Sequence, residues 1–400
     1  MIERNYYLEQ LIAQREQQLI KVVTGVRRCG KSTLFELYIT YLKKQGVAEE
    51  QIIAINMEDL EFENLTDYRA LYQYIQQRLC RGKNSYIFID EVQNCKHFEK
   101  AINSLFIQKQ VDIYITGSNA FMLSGELATL LSGRYVTIDM LPLSFKEYFA
   151  ARGVRQTASK AGRLQEYIRN SSFPYLASIQ ATPAMTKVYL EGIYSTILLK
   201  DIAQRELISD IPLLESVIKT LASGIGSPVS TKKISDTINS GGRKVSIHTI
   251  DRYLRALTDS FIFYKVDRYD IKGRQHLKTL GKYYIIDVAI RNYLLAQSGL
   301  DYGHVLENIV YLELLHRGYR VSSGKIAEKE VDFVANAYDK IIYFQVSATV
   351  GDESTLRREL EPLKKIQDNH AKILLTLDEI GAGTNHDGIQ QLNIIDWLLE

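Results

Sequence analysis

A glycine-rich segment early in the chain has the residue types and spacing of a phosphate-binding loop. Gly25-Val-Arg-Arg-Cys-Gly-Lys-Ser32 matches the pattern GxxxxGK[ST] in full, and the apolar run Ile20–Thr24 comes directly before it. In such a loop the glycines let backbone N–H groups face the phosphates, and the N-terminus of the following helix adds partial positive charge. The segment therefore predicts a triphosphate site in which Lys31 bridges the β- and γ-phosphates.

The other residues of this loop also have expected contributions. We expect Ser32 to ligate Mg²⁺ and Thr33 to add a hydroxyl contact to the phosphates. The residues expected around the nucleotide are Gly25, Val26, Arg27, Arg28, Cys29, Gly30, Lys31, Ser32 and Thr33. For Arg27 and Arg28 the sequence leaves two alternatives open, a phosphate contact and a structural ion pair.

A second motif places two carboxylates at the end of an apolar strand. Tyr86-Ile-Phe-Ile-Asp90-Glu91 lies about 60 residues after the phosphate loop, with another strand between them. We expect Asp90 to serve the Mg²⁺, directly or through an outer ligand. Because successive side chains of a strand alternate in direction, Glu91 points elsewhere and is expected to orient and deprotonate the attacking water. An apolar run that ends in two acidic residues is common by itself. Its position after the phosphate loop is what makes a role in binding Mg²⁺ and activating water the favoured interpretation.

Two weaker signals follow. Ile113-Tyr-Ile-Thr-Gly-Ser-Asn119 is a strand ending in small polar residues, where Ser118 or Asn119 is suited to sense the γ-phosphate, and Asn119 is preferred. A simple turn is the alternative. Arg134 precedes the last strand of this region and is expected to act in trans on a neighbour's γ-phosphate. A surface or structural arginine is the alternative there.

The elements that must position these residues alternate between strand and helix. The predicted strands are Ile20–Thr24, Ile52–Met57, Tyr86–Ile89, Asp112–Thr116 and Tyr135–Met140, and the helical stretches include 3–19, Ser32–Lys44, Tyr68–Leu79 and Phe98–Gln108. This alternation predicts an α/β fold with a parallel sheet flanked by helices. We assign residues 1–150 to this nucleotide-binding core.

The rest of the chain predicts three further segments. Residues 151–210 read as a helical linker or lid that begins with a polar, basic stretch. Residues 211–290 contain three short helices and then two β-rich pieces around a basic loop, which is the plan of a winged helix. Residues 291–400 return to α/β character, with strands at Glu330–Ala335, Ile341–Val346 and Ile373–Thr376.

Composition excludes several classes of protein. Three cysteines in 400 residues are too few for a disulfide scaffold or a four-cysteine zinc site, and the formal net charge of +2 points to no particular partner. The charged start lacks the apolar core of a signal peptide, and no apolar run approaches the length of about 20 residues that spans a bilayer. We therefore expect a cytoplasmic protein with no membrane partner.

The chain resembles prokaryotic AAA-family ATPases that carry a C-terminal domain of unknown function. The matching segments are residues 25–33 (GVRRCGKST), 88–93 (FIDEVQ), 115–135, 141–149 (LPLSFKEYF), 172–176, 189–202, 307–314 and 330–334. The resemblance implies an ATPase core followed by a winged helix and a restriction-endonuclease-like fold, and it implies no particular biological process. Relatives often carry a small residue such as serine where this chain has Cys29, and the change is expected to be tolerated because that position supplies backbone.

The winged-helix segment is basic. Pro228–Lys282 contains 12 Lys or Arg and five Asp, a net charge of +7. Arg252 and Arg255 lie on the third helix, and Lys272, Arg274 and Lys278 lie in the loop between the β-rich pieces, interleaved with Tyr269 and His276. Basic side chains on a recognition helix and a wing favour duplex DNA as a partner. A solvated face on a winged helix that contacts protein is the alternative.

The tail carries part of a nuclease pattern. Enzymes of the restriction-endonuclease fold hold Mg²⁺ with an acid and an acid-x-lysine strand. Here Glu307 lies on a helix and Asp332 on a strand, but the next strand offers Gln345 and Ser347 and lacks the lysine. We therefore expect this fold to be non-catalytic.

Three functions remain to be separated. The first is an ATPase with Mg²⁺ in which nucleotide state moves a DNA- or protein-binding C-terminal region, with a homo-oligomer as a possible assembly. The second is a low-turnover switch governed by nucleotide occupancy. The third, least favoured, is an ATP-gated nuclease.

Overall fold

In the computed structural model the described residues are 2–118, 130–131, 133–153, 159–179, 181–296, 302–338 and 340–400. The chain divides into two compact units. The first comprises Met1–Pro142 with Asp259–Phe261, and the second comprises Leu143–Thr258 with Ile262–Glu400.

The first unit is a parallel α/β structure. Its elements are α1 (Asn5–Ala13), β1 (Ile20–Thr24), α2 (Lys31–Lys44), β2 (Ile52–Asn56), α3 (Tyr68–Gln76), β3 (Ser85–Asp90), α4 (Phe98–Phe106), β4 (Val111–Gly117) and β5 (Tyr135–Asp139). The five strands are parallel and lie in the order β2-β3-β4-β1-β5. Each lies within one residue of its predicted bounds at either end, so the predicted parallel sheet is confirmed.

The three central strands β1, β3 and β4 are buried on both faces, which explains their largely apolar sequences, whereas the edge strands β2 and β5 are partly exposed. On one face Ile87 and Ile113 belong to a core cluster with Leu71 of α3 and Ile102 of α4. On the other face the rings of Phe88 and Tyr114 stack with centroids 4.8 Å apart. Tyr38 of α2 packs on both of these rings. Alternate residues of each strand thus contact different helices, as period-two geometry requires.

The first helix is shorter than predicted, because the prediction of a helix over 3–19 followed the apolar periodicity alone. The helix ends at Ala13, and Glu16 adopts a left-handed backbone with φ 60°. The N–H of Glu16 donates to Asp112 Oδ2 at 2.8 Å. This contact between residues distant in sequence turns the chain toward β1 and outweighs the local helical pattern.

The second unit contains more helices and a larger sheet. Its elements are α5 (Phe145–Ala151), α6 (Lys160–Asn170), α7 (Pro174–Ser178), α8 (Pro183–Thr196), α9 (Ile211–Ser223), α10 (Thr231–Ser240), α11 (Ile247–Asp259), β6 (Phe263–Asp270), β7 (Gln275–Ile285), α12 (Val288–Leu295), α13 (Tyr302–His316), β8 (Arg320–Ile326), β9 (Lys329–Ala337), β10 (Lys340–Val346), α14 (Glu353–Lys364), β11 (Ala371–Thr376), β12 (Asn385–His386), β13 (Ile389–Asn393) and α15 (Ile394–Leu399). A π-helical turn, Ile197–Gln204, continues α8. Side-chain caps fix several helix starts, such as Asp210 at α9 and Asp352 at α14.

The eight strands of this unit form one sheet in the order β12-β13-β11-β10-β9-β8-β6-β7. The hairpin β6–β7 is antiparallel, and β6 also pairs in parallel with β8 through Arg268 and Ser323. The segments 211–290 and 291–400 therefore share a sheet. Both hairpin strands extend further toward the turn than the predicted β-rich pieces Phe261–Val266 and Tyr283–Ile286. Residues 268–270 of β6 pair with β7 on one side and with β8 on the other, and the pairing with β8 depends on residues distant in sequence.

None of the helices in the described part of the chain is both long and apolar enough to cross a membrane.

Candidate nucleotide site

The phosphate loop leaves the sheet through a glycine that no other residue can replace. Gly25 follows β1 directly and has φ +144°, and a Cβ built on it would lie 2.1 Å from the carbonyl oxygen of Met140. An L-amino acid with a side chain would both clash there and occupy an unfavourable backbone region. The first glycine of the motif is therefore required by geometry.

The loop ends in the N-terminus of α2. Gly30 is the N-cap residue with φ 108°, and Arg28 also lies in the left-handed region with φ 65°. Glycine has no side chain with which to cap the helix, and the first-turn N–H groups lack partners within the helix itself. They are therefore oriented to receive an anion where β1 ends, as a phosphate-binding loop requires.

Lys31 is folded back onto this loop. The residue is 4% exposed, and its Nζ donates to the carbonyl oxygens of Gly25 at 3.0 Å and Val26 at 3.3 Å. The same Nζ lies 3.5 Å from Glu91 Oε1. A buried ammonium held by two carbonyls and a carboxylate can exchange these partners for phosphate oxygens, which bind a cation more strongly than neutral carbonyls do.

Asp90 ends β3 beside the loop and fits a magnesium ligand. Its carboxylate accepts a hydrogen bond from the Thr116 hydroxyl. Burial raises the pKa of Asp90 above its ordinary value, and the hydroxyl groups of Ser32 and Thr116 offset only part of the rise. Mg²⁺ prefers oxygen ligands, usually one or two carboxylates together with substrate phosphates. The carboxylate of Asp90 and the hydroxyl of Ser32 therefore form a suitable pair of protein donors.

Glu91 is held in a strained backbone conformation. Its φ of 51° is left-handed, and its N–H is fixed by the Thr116 hydroxyl at 2.8 Å. Burial alone would raise the pKa of the Glu91 carboxyl, but the Lys31 ammonium and a hydrogen bond from Gln93 outweigh it, and the pKa is lowered. Glu91 is therefore an ionised carboxylate beside the phosphate loop, suited to accept a proton.

The two loop arginines differ in environment. Arg27 forms an ion pair with Glu58, with Nη1 2.9 Å from Oε1, which is the kind of contact expected if the role of Arg27 is structural. Arg28 is exposed. Thr33 lies in the first turn of α2, half-buried, where the predicted hydroxyl contact to phosphate stays a prediction.

One residue near the loop was missed by the sequence analysis. Arg4 is 3% exposed and donates to the carbonyl oxygens of Cys29 at 3.0 Å and Leu141 at 2.6 Å. It therefore ties the phosphate loop to the segment that follows β5. No motif includes Arg4, because its partners are 25 and 137 residues away in sequence.

The two weaker predictions concern Arg134 and the strand end at Ser118 and Asn119. Ser118, one of the two candidates for the sensor, lies beside the site with its Oγ 3.4 Å from Gln93 Nε2. Asn119 lies outside the described residues. Arg134 is exposed, and its guanidinium lies 5.5 Å from the ring centroid of Phe106. Arg134 precedes β5, whereas the phosphate loop, Asp90 and Glu91 follow their strands. Because the strands are parallel, Arg134 lies at the opposite end of the strands from these residues. Arg134 cannot reach the nucleotide of its own chain from there, and its action in trans stays a prediction.

The second unit brings the tail residues together around a lysine that the sequence analysis did not identify. Lys282 of β7 lies 2.9 Å from Glu307 Oε1 and also pairs with Glu330. Burial would lower the pKa of Lys282, but the carboxylates of Glu307, Asp332 and Glu330 raise it above its ordinary value. Gln345 Oε1 accepts weakly from the N–H of Asp332 at 3.4 Å. A positive charge thus accompanies these acids, although it is not on the predicted strand.

These acids do not form a metal site by themselves. Across the described ranges no group of three or more His, Cys, Asp or Glu side chains is arranged to hold a metal ion. The Lys282 ammonium lies among the carboxylates of the tail. The prediction that this region is non-catalytic stays a prediction.

The basic residues singled out in the winged-helix segment lie on α11 and in the hairpin β6–β7. Arg252 and Arg255 of α11 are both exposed, as are Lys272 and Arg274 in the turn between β6 and β7. The side chain of Lys278 lies outside the described part. A cavity of about 380 Å³ between α11 and the hairpin is lined by Val229, Thr231, Asp251, Leu254, Arg255, Thr258, Lys265, Leu280, Gly281 and Tyr283.

Comparison with known proteins agrees with the geometry of the nucleotide site. A family model described as an AAA domain matches residues 17–149, which include the phosphate loop, Asp90 and Glu91. A second model, described as a domain of unknown function (DUF8612), matches residues 161–301.

Three similar proteins cover most of the chain. An uncharacterized protein of Haemophilus influenzae is 42% identical over 402 residues, covering 100% of this chain and 99% of its own length. An uncharacterized protein of Methanocaldococcus jannaschii is 29% identical and covers 94% of this chain and 85% of its own length. Among solved structures, a Walker-type ATPase of Pyrococcus abyssi aligns with a TM-score of 0.52 at 17% identity, over 74% of this chain and 96% of its own, which shows similarity of fold.

Proposed function

The chain belongs to the same family as its Haemophilus influenzae relative and carries the AAA domain at residues 17–149, and we propose that it is an Mg²⁺-dependent ATPase. In this proposal nucleotide state controls the position of a C-terminal region that binds DNA or protein. The observation that carries the proposal is the contact between Lys31 Nζ and Glu91 Oε1 at 3.5 Å, which joins the two predicted motifs in one site.

The proposed reaction uses the residues of this site in distinct roles. The loop amides and Lys31 bind the triphosphate, with Lys31 leaving the carbonyl oxygens of Gly25 and Val26 for phosphate oxygens. Ser32 and Asp90 hold Mg²⁺, which when bound neutralises charge on the phosphates. Glu91 accepts a proton from water as the water oxygen bonds to the γ-phosphorus. The bond from that phosphorus to the bridging oxygen breaks, and ADP and phosphate leave.

The metal part of this proposal predicts a defect for Asp90→Asn. Replacing the carboxylate by an amide removes a charged oxygen ligand, so we expect ATP turnover to need about 10- to 100-fold more Mg²⁺. Phosphate release measured across a Mg²⁺ titration checks the shift, and chelation of Mg²⁺ should abolish turnover by the unaltered protein. Asp139→Asn is a matched control, because Asp139 also accepts a threonine hydroxyl at a strand end, from Thr24 at 2.8 Å.

Two results would contradict the metal assignment. One is ATP turnover that is indifferent to Mg²⁺. The other is the same Mg²⁺ dependence in Asp90→Asn as in the unaltered protein. Negligible turnover with tight, Mg²⁺-dependent nucleotide binding would favour the alternative, a switch governed by occupancy.

A DNA-binding role for the second unit is proposed from the order of its elements. The helices α9, α10 and α11 are followed by the hairpin β6–β7, and the N–H of Val229 donates to the carbonyl of Gly281 at 2.9 Å. A short extended piece before the second helix that pairs with the hairpin is typical of a winged helix, and α11 then occupies the position of a recognition helix. The exposed Arg252 and Arg255 are spaced three residues apart on one face of α11.

This proposal predicts salt-dependent DNA binding that weakens when both arginines are replaced. Each phosphate contact contributes about 0.9 to the slope of log K against log salt, so Arg252→Ala with Arg255→Ala should reduce the slope by about 2. Fluorescence anisotropy of labelled duplex DNA at several salt concentrations measures it. The exposed pair Arg357 and Arg358 of α14 provides a control double variant. Equal loss in both double variants would contradict a specific role for α11, and Mg²⁺-dependent cleavage of the probe would favour the nuclease alternative.

The proposal for Arg134 concerns assembly. Arg134 lies at the opposite end of the parallel strands from the nucleotide site of its own chain, so it is suited to contact the nucleotide of a neighbouring copy. In this proposal ATP promotes a homo-oligomer in which Arg134 stabilises charge on the γ-phosphate of the adjacent chain.

A further inference from the structure

Gln93 lies beside the proposed general base and has no assigned role. It is part of the 3-10 turn Val92–Asn94, which follows Glu91 immediately. The left-handed backbone of Glu91 reverses the chain direction there, so the Gln93 side chain returns toward the carboxylate. Its Nε2 donates to Glu91 Oε2 at 2.5 Å and lies 3.4 Å from Ser118 Oγ.

The chemistry of these partners fixes the orientation of the Gln93 amide. An ionised carboxylate is only an acceptor, so the group that faces Glu91 must be the NH₂ of the amide. The Ser118 oxygen lies 3.4 Å from the same Nε2 and can accept the second N–H of Gln93. Turning the amide over would place two acceptor oxygens against each other.

This orientation leaves the carbonyl oxygen of Gln93 unused by the protein. Oε1 is buried and has no hydrogen-bond partner among the residues that the structure describes. Buried acceptors are nearly always satisfied in native proteins, and an exception at a reactive site points to a ligand. Oε1 belongs to the same amide group as Nε2, which contacts Glu91 Oε2, so this acceptor lies beside the proposed general base.

We propose that Gln93 orients the attacking water, with its Oε1 accepting one hydrogen while Glu91 accepts the other. The inference rests on the proposed ATPase function and adds a second residue to the step that activates water. A water held by one acceptor can still rotate about that hydrogen bond, whereas two acceptors fix the direction of its remaining lone pair. Gln93 thereby aims the water oxygen at the γ-phosphorus, and Glu91 alone takes the proton.

The test compares Gln93→Leu with the unaltered protein. Leucine keeps the approximate size of the side chain and removes the amide. We expect kcat for ATP to fall about 100-fold, because misplacing a reacting group has effects of that order. We expect the KM and the measured affinity for ATP to change little, since the proposed role of Gln93 is to position water and the phosphates are bound by the loop amides and Lys31. Gln108→Leu is the control, because Gln108 is a half-buried glutamine of the same unit that hydrogen bonds to Tyr72 at 3.3 Å.

A double-mutant cycle with Glu91→Gln separates a water-orienting role from a structural one. If both residues act on the same water, adding Gln93→Leu to Glu91→Gln should lower the residual rate far less than it lowers the rate of the unaltered protein. Independent, multiplicative losses together with weaker ATP affinity would show a structural role and overturn the inference.

The outcomes distinguish this inference from the function on which it rests. If Glu91→Gln abolishes turnover and Gln93→Leu does not alter kcat, the role of Gln93 is refuted and the ATPase proposal stands. If Glu91→Gln turns over ATP at the unaltered rate, the proposed function fails at its base, and the role of Gln93 fails with it.

Discussion

Glu91→Gln is expected to reduce the rate of ATP turnover by about 10²- to 10⁴-fold while ATP binding persists. This range of rate reduction is the usual contribution of general acid–base catalysis by a positioned side chain. The substitution removes the group that accepts the proton from water and preserves its size. Because the phosphates are bound by the loop amides and Lys31, ATP affinity has no direct reason to fall. Phosphate release and equilibrium binding of a fluorescent ATP analogue measure the two properties separately.

The site itself shows why the amide should be tolerated at position 91. The carboxamide oxygen of the new side chain can still accept from Gln93 Nε2, and the backbone N–H of residue 91 keeps its bond to Thr116. Glu99→Gln is a suitable control, since Glu99 is a half-buried glutamate of the same unit, and its carboxylate lies 3.6 Å from His97 Nδ1. Turnover by Glu91→Gln equal to that of Glu99→Gln would remove Glu91 from the mechanism.

The nucleotide-binding core was predictable because its signals are local. A phosphate loop requires glycines, a lysine and a hydroxyl within eight residues, and the adjacent strand and helix share that window. A strand of a parallel sheet is buried on both faces, so β1 and β3 read as continuous apolar runs. The five strands, and the place of the loop between β1 and α2, therefore follow from short stretches of sequence.

The supporting contacts were not predictable in the same way. Arg4 reaches Cys29 and Leu141, and Lys282 reaches Glu307, across 25 to 137 residues of sequence. Such contacts depend on the packing of whole elements and leave no periodic pattern. Gln93 is different, since it lies two residues from Glu91 within a recognised motif. Its role depends on the left-handed backbone of Glu91, and a sequence does not show that conformation for a non-glycine residue.

The strands that lie next to the hairpin β6–β7 could not be predicted from the sequence either. Its basic loop and the preceding helices suggested a segment ending near residue 290. In the structure β6 pairs with β8 of the tail, and β7 carries Lys282 to the acids on α13 and β9. The pairing of strands from distant segments depends on the packing of the whole sheet. The local sequence pattern therefore predicts the strands, but not which strands lie next to each other.

Lys31→Ala is expected to weaken ATP binding about 10- to 150-fold, the equivalent of losing a charged hydrogen bond worth about 1.5–3 kcal/mol. In the structure the Lys31 ammonium contacts the carbonyl oxygens of Gly25 and Val26, so ATP binding gains only the difference between a phosphate oxygen and a carbonyl oxygen as the partner of this ammonium. The substitution also leaves the buried Glu91 carboxylate without its nearest cation. We therefore expect a lower melting temperature of the nucleotide-free protein as a second, independent effect.

Two further variants separate these effects. Lys31→Met fills more of the buried volume than alanine and still lacks the charge, so it should bind ATP as weakly as Lys31→Ala. Lys43→Ala removes an exposed lysine from the same helix, where the side chain pairs with Glu49, and should leave ATP affinity unchanged. Calorimetric titration with ATP measures all three variants. Undiminished affinity in both Lys31 variants would mean that the ammonium is not a phosphate ligand, and the buried contact with Glu91 would then have only a structural role.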